Sequence, residues 1–303
     1  MKTNSLNKKF DKIRFLEENN KLVSKDQNRL LNKFLNNKLA VLGLILFTII
    51  ILATIFAPLL SPYDPLKVDL RSMRQPPSLD HWFGTDNTGR DVFSRVLYGG
   101  RVSIFVGLGS SLMAALIGLA IGCYGGYRGG WVDVIALRIS EIFTSFPQII
   151  LVLLLVSITG QSLTNLFVIF ILTGWGGMYR LSRARMLSLR EEEYVQALES
   201  FGISTFKICY KHMLPNALGP VMVMITLSTA MFILTEAGLS FLGLGVQEPM
   251  CSWGSLIKEG AEIMEEAPWL LLFPGVLFAM TLFSLNFLGD GLRDALDPRA
   301  SKD

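Results

Sequence analysis

Charged side chains are scarce: Asp, Glu, Lys and Arg make up 17% of the 303 residues, where a soluble chain carries about a quarter. The shortage is concentrated in long uncharged runs, which excludes an ordinary soluble globule and places the chain in a bilayer. Three cysteines, Cys123, Cys209 and Cys251, are too scattered for a disulfide framework or a CxxC metal site. They read as small apolar packing groups. The two histidines, His81 and His212, fall on opposite sides of the membrane in the topology derived below. They cannot share a zinc ion within one chain, and HExxH is absent. No GxxxxGKS/T phosphate loop occurs, so any ATP and its magnesium must be bound by other chains. Gly109-Ser110-Ser111 has no histidine nearby, which leaves an intramembrane serine protease without support; these serines read as helix-packing groups. No metal site, no cofactor in this chain and no enzyme activity are expected. A nucleic-acid partner is not expected either.

What is present is a set of six apolar runs, at 39–60, 102–126, 140–159, 163–182, 218–240 and 269–289. About 20 predominantly apolar residues span the hydrocarbon, so the reading is an all-α polytopic membrane protein with six transmembrane helices. The first run is uncharged and stopped by Pro58, Pro62 and Pro65. The second and fourth carry glycines, among them Gly107, Gly109, Gly118, Gly122, Gly174, Gly176 and Gly177. Such runs pack against protein rather than lipid.

With the N-terminus inside, the segments 1–38, 127–139, 180–217 and 290–303 hold 21 Lys and Arg. The opposite segments, 61–101 and 241–268, hold 7. This bias sets the orientation. The chain then divides into a basic cytoplasmic segment 1–38, a first transmembrane helix 39–60 and an external loop 61–101 with an amphipathic segment. A five-helix core 102–289 with a cytoplasmic loop 183–217 follows, and then a cytoplasmic C-terminus 290–303. Leu30, Leu31, Phe34 and Leu35 have the spacing of a short amphipathic helix at the inner leaflet. No Ala-x-Ala site follows the first run, which reads as a retained anchor rather than a signal.

The loop 183–217 carries the densest local signals. Ser188 and Glu191 match a capping box, and Glu191, Glu192 and Glu193 fill a first helical turn. Tyr194, Val195, Leu198 and Phe201 share one face. Gly202 suits a C′ position, Ser204 an N-cap, and the second helix should end near Leu214-Pro215. A helix of about 15–20 Å cannot cross a membrane. It can pack under its own bundle, or it can lie in a partner's groove.

The pattern around Tyr194-Val195-Gln196-Ala197, Gly202 and Leu214-Pro215-Asn216 resembles the EAA loop of binding-protein-dependent ABC importers. Three further stretches resemble the C-type permease subunit of the dipeptide, oligopeptide and nickel branch: His81 to Arg95; Leu239 to Gln247 with Ser252-Trp253-Gly254; and Asn286 to Arg299. The resemblance covers roughly 30–300. Gln196 stands where the triplet usually has glutamate, Leu198 replaces its second alanine, and His212 follows the usage of this branch.

The resemblance implies the type I ABC importer permease fold and coupling to an ATPase through Glu193, Tyr194, Gln196, Ala197, Leu198, Glu199, Gly202, Leu214 and Pro215. It implies a heterodimer with a B-type permease, two cytoplasmic ATPase subunits, an extracytoplasmic substrate-binding protein and a bacterial inner-membrane location. The translocation path would lie between the two permeases, and the cargo would be di- or oligopeptides. A nickel or metal-chelate importer of the same family, or an ATP-independent secondary transporter using Glu236, stand as alternatives.

Two charged groups remain. Asp86, Arg90, Asp91 and Arg95 lie outside; they form either a gate or docking surface, or a structural cap in which Asp91 and Arg95 pair at i,i+4. Glu236 is the acid deepest in a span and is either a pathway contact or a polar clamp between helices.

Overall fold

The structure, a computed structural model, describes residues 31–296; the readings for 1–30 and 297–303 lie outside the described residues. After a helical stretch at 31–36 come α1 (Lys38–Ile55), α2 (Val92–Arg128), α3 (Gly130–Thr144), α4 (Gln148–Thr159) and α5 (Leu163–Arg190). Then follow α6 (Glu193–Ser200), α7 (Thr205–Phe241), α8 (Trp253–Glu262) and α9 (Trp269–Leu296). No strand occurs among the described residues; the one isolated bridge joins Thr85 and Asp91.

Four helices, α1, α2, α7 and α9, are each long and apolar enough to cross a membrane, and the bent pair α3–α4 makes a fifth crossing if it counts as one span. The remaining expected span, α5, has 28 residues, about 42 Å at 1.5 Å per residue. Four arginines and Gly174-Trp175-Gly176-Gly177 dilute its apolar character.

Three expected segments change shape. The second run begins at Val92 rather than 102, because Asp91 caps the helix: its side chain accepts from the Ser94 amide at 2.8 Å. The third is two helices at 92°, broken at Ser145-Phe146-Pro147, where the proline disfavours a helical backbone in the residue before it. The fifth starts at Thr205 and passes unbroken through Leu214-Pro215, so the expected helix stop there is absent. A wide turn over Ile208–Met213 precedes Pro215. It relieves the clash between the proline ring and the carbonyl four residues earlier.

The main interface joins α2 to α5. A Cβ at Gly118 would lie 2.5 Å from Met178 Cβ and 2.7 Å from the Tyr179 nitrogen, so only glycine allows this approach. The Ser182 hydroxyl donates to the Gly118 carbonyl at 3.0 Å across the same contact. Ser110 and Ser111 likewise donate to Phe167 and Ile225 carbonyls at 3.2 and 3.0 Å, which gives them packing roles. At Gly43, α1 lies against the backbone of α9, and its other sides leave Leu42, Ile45, Ile49 and Leu52 exposed.

Candidate functional site

At the end of the bundle where α2 finishes, α5 leads into the short helix α6. Ser188 lies inside α5, and Glu191 is that helix's C-cap. The expected capping box therefore does not form: Ser188 has helical backbone and cannot start a new helix. Glu192 is the N-cap of α6 without a side-chain bond, and Ser204 before α7 also makes none.

The stop at Gly202 follows the expected chemistry. Gly202 has φ +71°, its N–H donates to the Glu199 carbonyl at 2.9 Å, and the Ile203 N–H donates to Leu198 at 3.2 Å. This is the paired C-terminal bond pattern that a left-handed residue permits. It reverses the chain and sends Phe201 away from the bundle.

The face expected to hold Tyr194, Val195, Leu198 and Phe201 is therefore divided. Val195 is fully buried in a cluster with Cys123, Tyr127, Met186, Ile208, Cys209 and Met213, against which Leu198 and Leu214 pack. Tyr194 is partly exposed, while Phe201 is 81% and Phe206 67% exposed. Glu193, Gln196, Ala197, Glu199, Gly202 and Pro215 also lie on the surface.

Two bonds fasten α6 to the bundle. Tyr127 donates to a Glu199 carboxylate oxygen at 2.5 Å, and Asn216 donates to the Tyr194 hydroxyl at 3.3 Å. Gln196 turns back to the Glu191 carbonyl at 3.2 Å, so its amide closes the α5–α6 corner.

A charged cap covers the other end of α2. Arg95 does not pair with the Asp91 carboxylate. It donates to Asp86 at 2.5 Å and to both oxygens of Glu259 on α8 at 2.6 and 3.0 Å. Asp91 is occupied by Ser94 and by His81 Nδ1 at 2.9 Å. Arg90 bonds to Asp86 at 2.7 Å and to Glu248 at 3.0 Å; Arg74 pairs with Glu266 before α9.

Burial, the largest influence on the Asp86 carboxyl, pushes its pKa up. The Arg95 charge and bonds from Arg90 and Thr88 outweigh it and hold the carboxyl below its ordinary 3.8. Asp86 and Arg95 are buried, so this cluster ties the segment before α2 to α8 and the loop ahead of it.

Glu236 on α7 is completely buried. Ser240 donates to one carboxylate oxygen at 2.7 Å and Ser103 to the other at 3.2 Å. Ser103 also accepts from the Trp253 amide at 3.1 Å. In this structure Glu236 fastens α2, α7 and α8 together and lines no open surface.

A second buried carboxylate, Asp133 on α3, was not among the expected site residues. Arg183 holds it at two points, both 2.7 Å, and Tyr179 donates to it at 2.7 Å. The available signal was a lone acid in the first turn of that helix.

These features define the class: an all-α, polytopic membrane protein with a glycine-stopped surface helix at one end and a charged cap at the other. Residues 107–302 match the family of binding-protein-dependent transport system inner membrane components, and residues 29–77 match the N-terminal transmembrane domain of oligopeptide transport permease C. The oligopeptide transport system permease protein OppC of Bacillus subtilis (strain 168) is 43% identical over 89% of this chain and 88% of its own length. The dipeptide transport system permease protein DppC of the same strain is 42% identical over 87% of this chain and 82% of its own. For OppC of Haemophilus influenzae (strain ATCC 51907 / DSM 11121 / KW20 / Rd) the identity is 42% over 95% and 93%.

Among solved structures, inward-facing forms of the MetNI methionine ABC transporter match with TM-scores of 0.50 and 0.51 at 21% and 20% identity. They cover 66% and 68% of this chain and 95% and 98% of theirs, a likeness in fold. The chain belongs to the family of binding-protein-dependent transport system inner membrane components. It is a membrane permease subunit of an ABC transporter and not an enzyme.

Proposed function

We propose that this chain is the C-type permease of an ATP-driven di- or oligopeptide importer. It pairs with a B-type permease to enclose the path and works with two cytoplasmic ATPase subunits, which bind ATP and magnesium. An extracytoplasmic binding protein delivers the cargo. The observation that carries the peptide reading is the 42–43% identity to oligopeptide and dipeptide permeases over most of the chain. The Lys and Arg bias supports a bacterial inner-membrane orientation with both termini and the 191–213 loop in the cytoplasm. In that orientation the charged cap faces outward, toward the binding protein.

Coupling is mechanical. Closure of the ATPase dimer pushes on the surface of α6, through Glu193, Tyr194, Gln196, Ala197, Glu199 and Gly202. Val195, Leu198 and Leu214 pass the displacement to α2, α5 and α7 through their shared cluster. Pro215 marks where the loop gives way to the long helix. The outcome is a rigid-body switch between inward-open and outward-open arrangements. Asp86, Arg90 and Asp91 hold the outer end and Glu236 the helix crossing beneath it.

The test is co-purification followed by reconstitution. The chain should bring down a second permease and ATPase subunits, and the assembled complex should accumulate labelled peptides in vesicles only with ATP. A lone chain that transports without ATPase subunits would refute the reading.

A further inference from the structure

The helix α3 is a short rod with a joint at each end. It begins at the pair Gly129-Gly130, whose φ angles are +67° and +77°; a Cβ added to either would meet no atom within 4 Å. It finishes at the 92° break before α4. A few residues at each end can therefore absorb a change of backbone angle while the 15-residue helix between them stays whole.

Within this chain the rod is held on one side only. Its buried residues are Asp133, Ala136 and Ser140, while Trp131, Ile135 and Ile142 on other sides are exposed. Ala136 and Ser140 are small, and Ser140 approaches α5 where Gly176 leaves room. The short polar contacts to α5 all converge on Asp133. Arg183 donates to its carboxylate from two nitrogens at 2.7 Å, and Tyr179 donates to the carboxylate at 2.7 Å and to the Asp133 carbonyl at 3.0 Å. Arg180 reaches Ser140 and Thr144 only at 3.3–3.5 Å. A two-point arginine–carboxylate contact fixes angle as well as distance.

The α5 side of this contact lies one turn from the α6 corner. Met186, three residues after Arg183, is buried in the cluster that holds Val195 of α6. Arg183 and Met186 both press on α2 at Gly126, where an added Cβ would lie 2.8 Å from the Arg183 carbonyl oxygen and 2.9 Å from Met186 Cβ. A displacement of α6 that reaches Met186 therefore reaches Arg183 in the same helical turn. We propose that Asp133 and Arg183 are positioning residues that tie α3 to the α5–α6 corner, so that α3 is carried with α5 during the access switch. Tyr179 orients the carboxylate. Without the tie, α5 moves past α3 and the displacement no longer reaches the α3–α4 pair. This inference rests on the coupling route through α6.

The test uses the complete complex with its binding protein in vesicles, measuring ATP hydrolysis and labelled-peptide uptake on the same sample. Asp133→Asn and Arg183→Lys should assemble and hydrolyse ATP within two-fold of wild type. Uptake should fall at least ten-fold in Asp133→Asn, and Asp133→Glu should recover part of it. A covalent tie supplies the second arm. A Cβ on Gly176 would lie 3.1 Å from Ser140 Cβ, close to the roughly 3.5–4.5 Å of a disulfide. The double variant Ser140→Cys, Gly176→Cys, oxidised with iodine, should keep at least half of wild-type uptake. The same bond should raise uptake by Asp133→Asn at least three-fold, and reduction should reverse that gain.

A disulfide that halts uptake in the otherwise wild-type complex would show that α3 must part from α5, and would overturn the proposal. Undiminished uptake in Asp133→Asn would overturn it as well. Loss of assembly in both Asp133→Asn and Arg183→Lys, or an equal fall of hydrolysis and uptake, would make the pair a structural clamp and have the same effect. Failure of the wild-type complex to couple ATP hydrolysis to uptake is a different result, and would instead remove the α6 route itself.

Discussion

Arg95 and Glu259 meet at two points, 2.6 and 3.0 Å, across 164 residues of sequence, while the same guanidinium holds Asp86 at 2.5 Å. Arg95 and Asp86 are almost fully buried and Glu259 is about a third exposed. Arg95→Ala would leave the buried Asp86 with Arg90 as its remaining cation and take from Asp86 and Glu259 their shared charged donor, at a cost of about 2–3 kcal/mol. Glu259→Gln should cost less, about 1–2 kcal/mol, because water reaches the glutamate and Asp86 still neutralises the arginine. Thermal unfolding of the purified protein in mild detergent should rank the variants in that order; equal midpoints would show that the cap contributes nothing to stability.

The same cluster sets an acid limit. The folded-state pKa of Asp86 lies below its ordinary 3.8, so its stabilising contribution is complete above that value. It is lost as pH falls through the lower folded value. The stability gap between wild type and Asp86→Asn should stay constant from about pH 7 to 5 and close only below about pH 4. A gap that closes between pH 7 and 5 would mean that another group controls the cap.

Local chemistry made much of this legible. An uncharged run followed by prolines marks α1, and glycines in the second and fourth runs mark the α2–α5 contact. Gly202 marks the turn after α6. Partners that depend on tertiary approach were not legible. Asp91 and Arg95 have suitable helical spacing, yet Asp91 is committed to capping and Arg95 reaches Glu259 on a distant helix. Periodicity placed Phe201 with Val195 because it treats the helix as endless. The left-handed residue at 202 turns the chain first, and Phe201 faces out. Pro215 was read as a stop because a proline clashes in a regular helix. The wide turn before it removes the clash. Asp133 gave only a faint signal, since its partners Tyr179 and Arg183 belong to another helix.

Two substitutions in the α6 region should separate ATP hydrolysis from uptake. Gly202→Pro is incompatible with φ +71° and removes the N–H that bonds Glu199, so the turn cannot form. Gly202→Ala meets no atom within 4 Å and should cost only about 1–2 kcal/mol for the left-handed backbone. Tyr194→Asp removes the hydroxyl that accepts from Asn216 and adds a fourth acid to Glu191, Glu192 and Glu193. In vesicles, Gly202→Pro and Tyr194→Asp should insert normally and hydrolyse ATP without peptide uptake, while Gln196→Glu should remain active. Normal uptake in both disruptive variants would remove α6 from the coupling route.

The α2–α5 contact should fail by collision rather than by loss of an attraction. A Cβ at Gly118 would lie 2.7 Å from the Tyr179 nitrogen and 2.8 Å from the Trp175 carbonyl oxygen. Both are backbone atoms of α5, so no rotamer change relieves the overlap and the helices must separate. Gly118→Ala should cost about 1–3 kcal/mol, and Gly118→Leu should abolish the folded state. Gly275 in α9 provides the contrast, because no atom lies within 4 Å of its added Cβ. Gly275→Ala should be neutral or stabilising by up to about 1 kcal/mol through helix propensity. Comparable detergent-melting midpoints for Gly118→Leu and Gly275→Ala would show that α2 and α5 are not in this close contact.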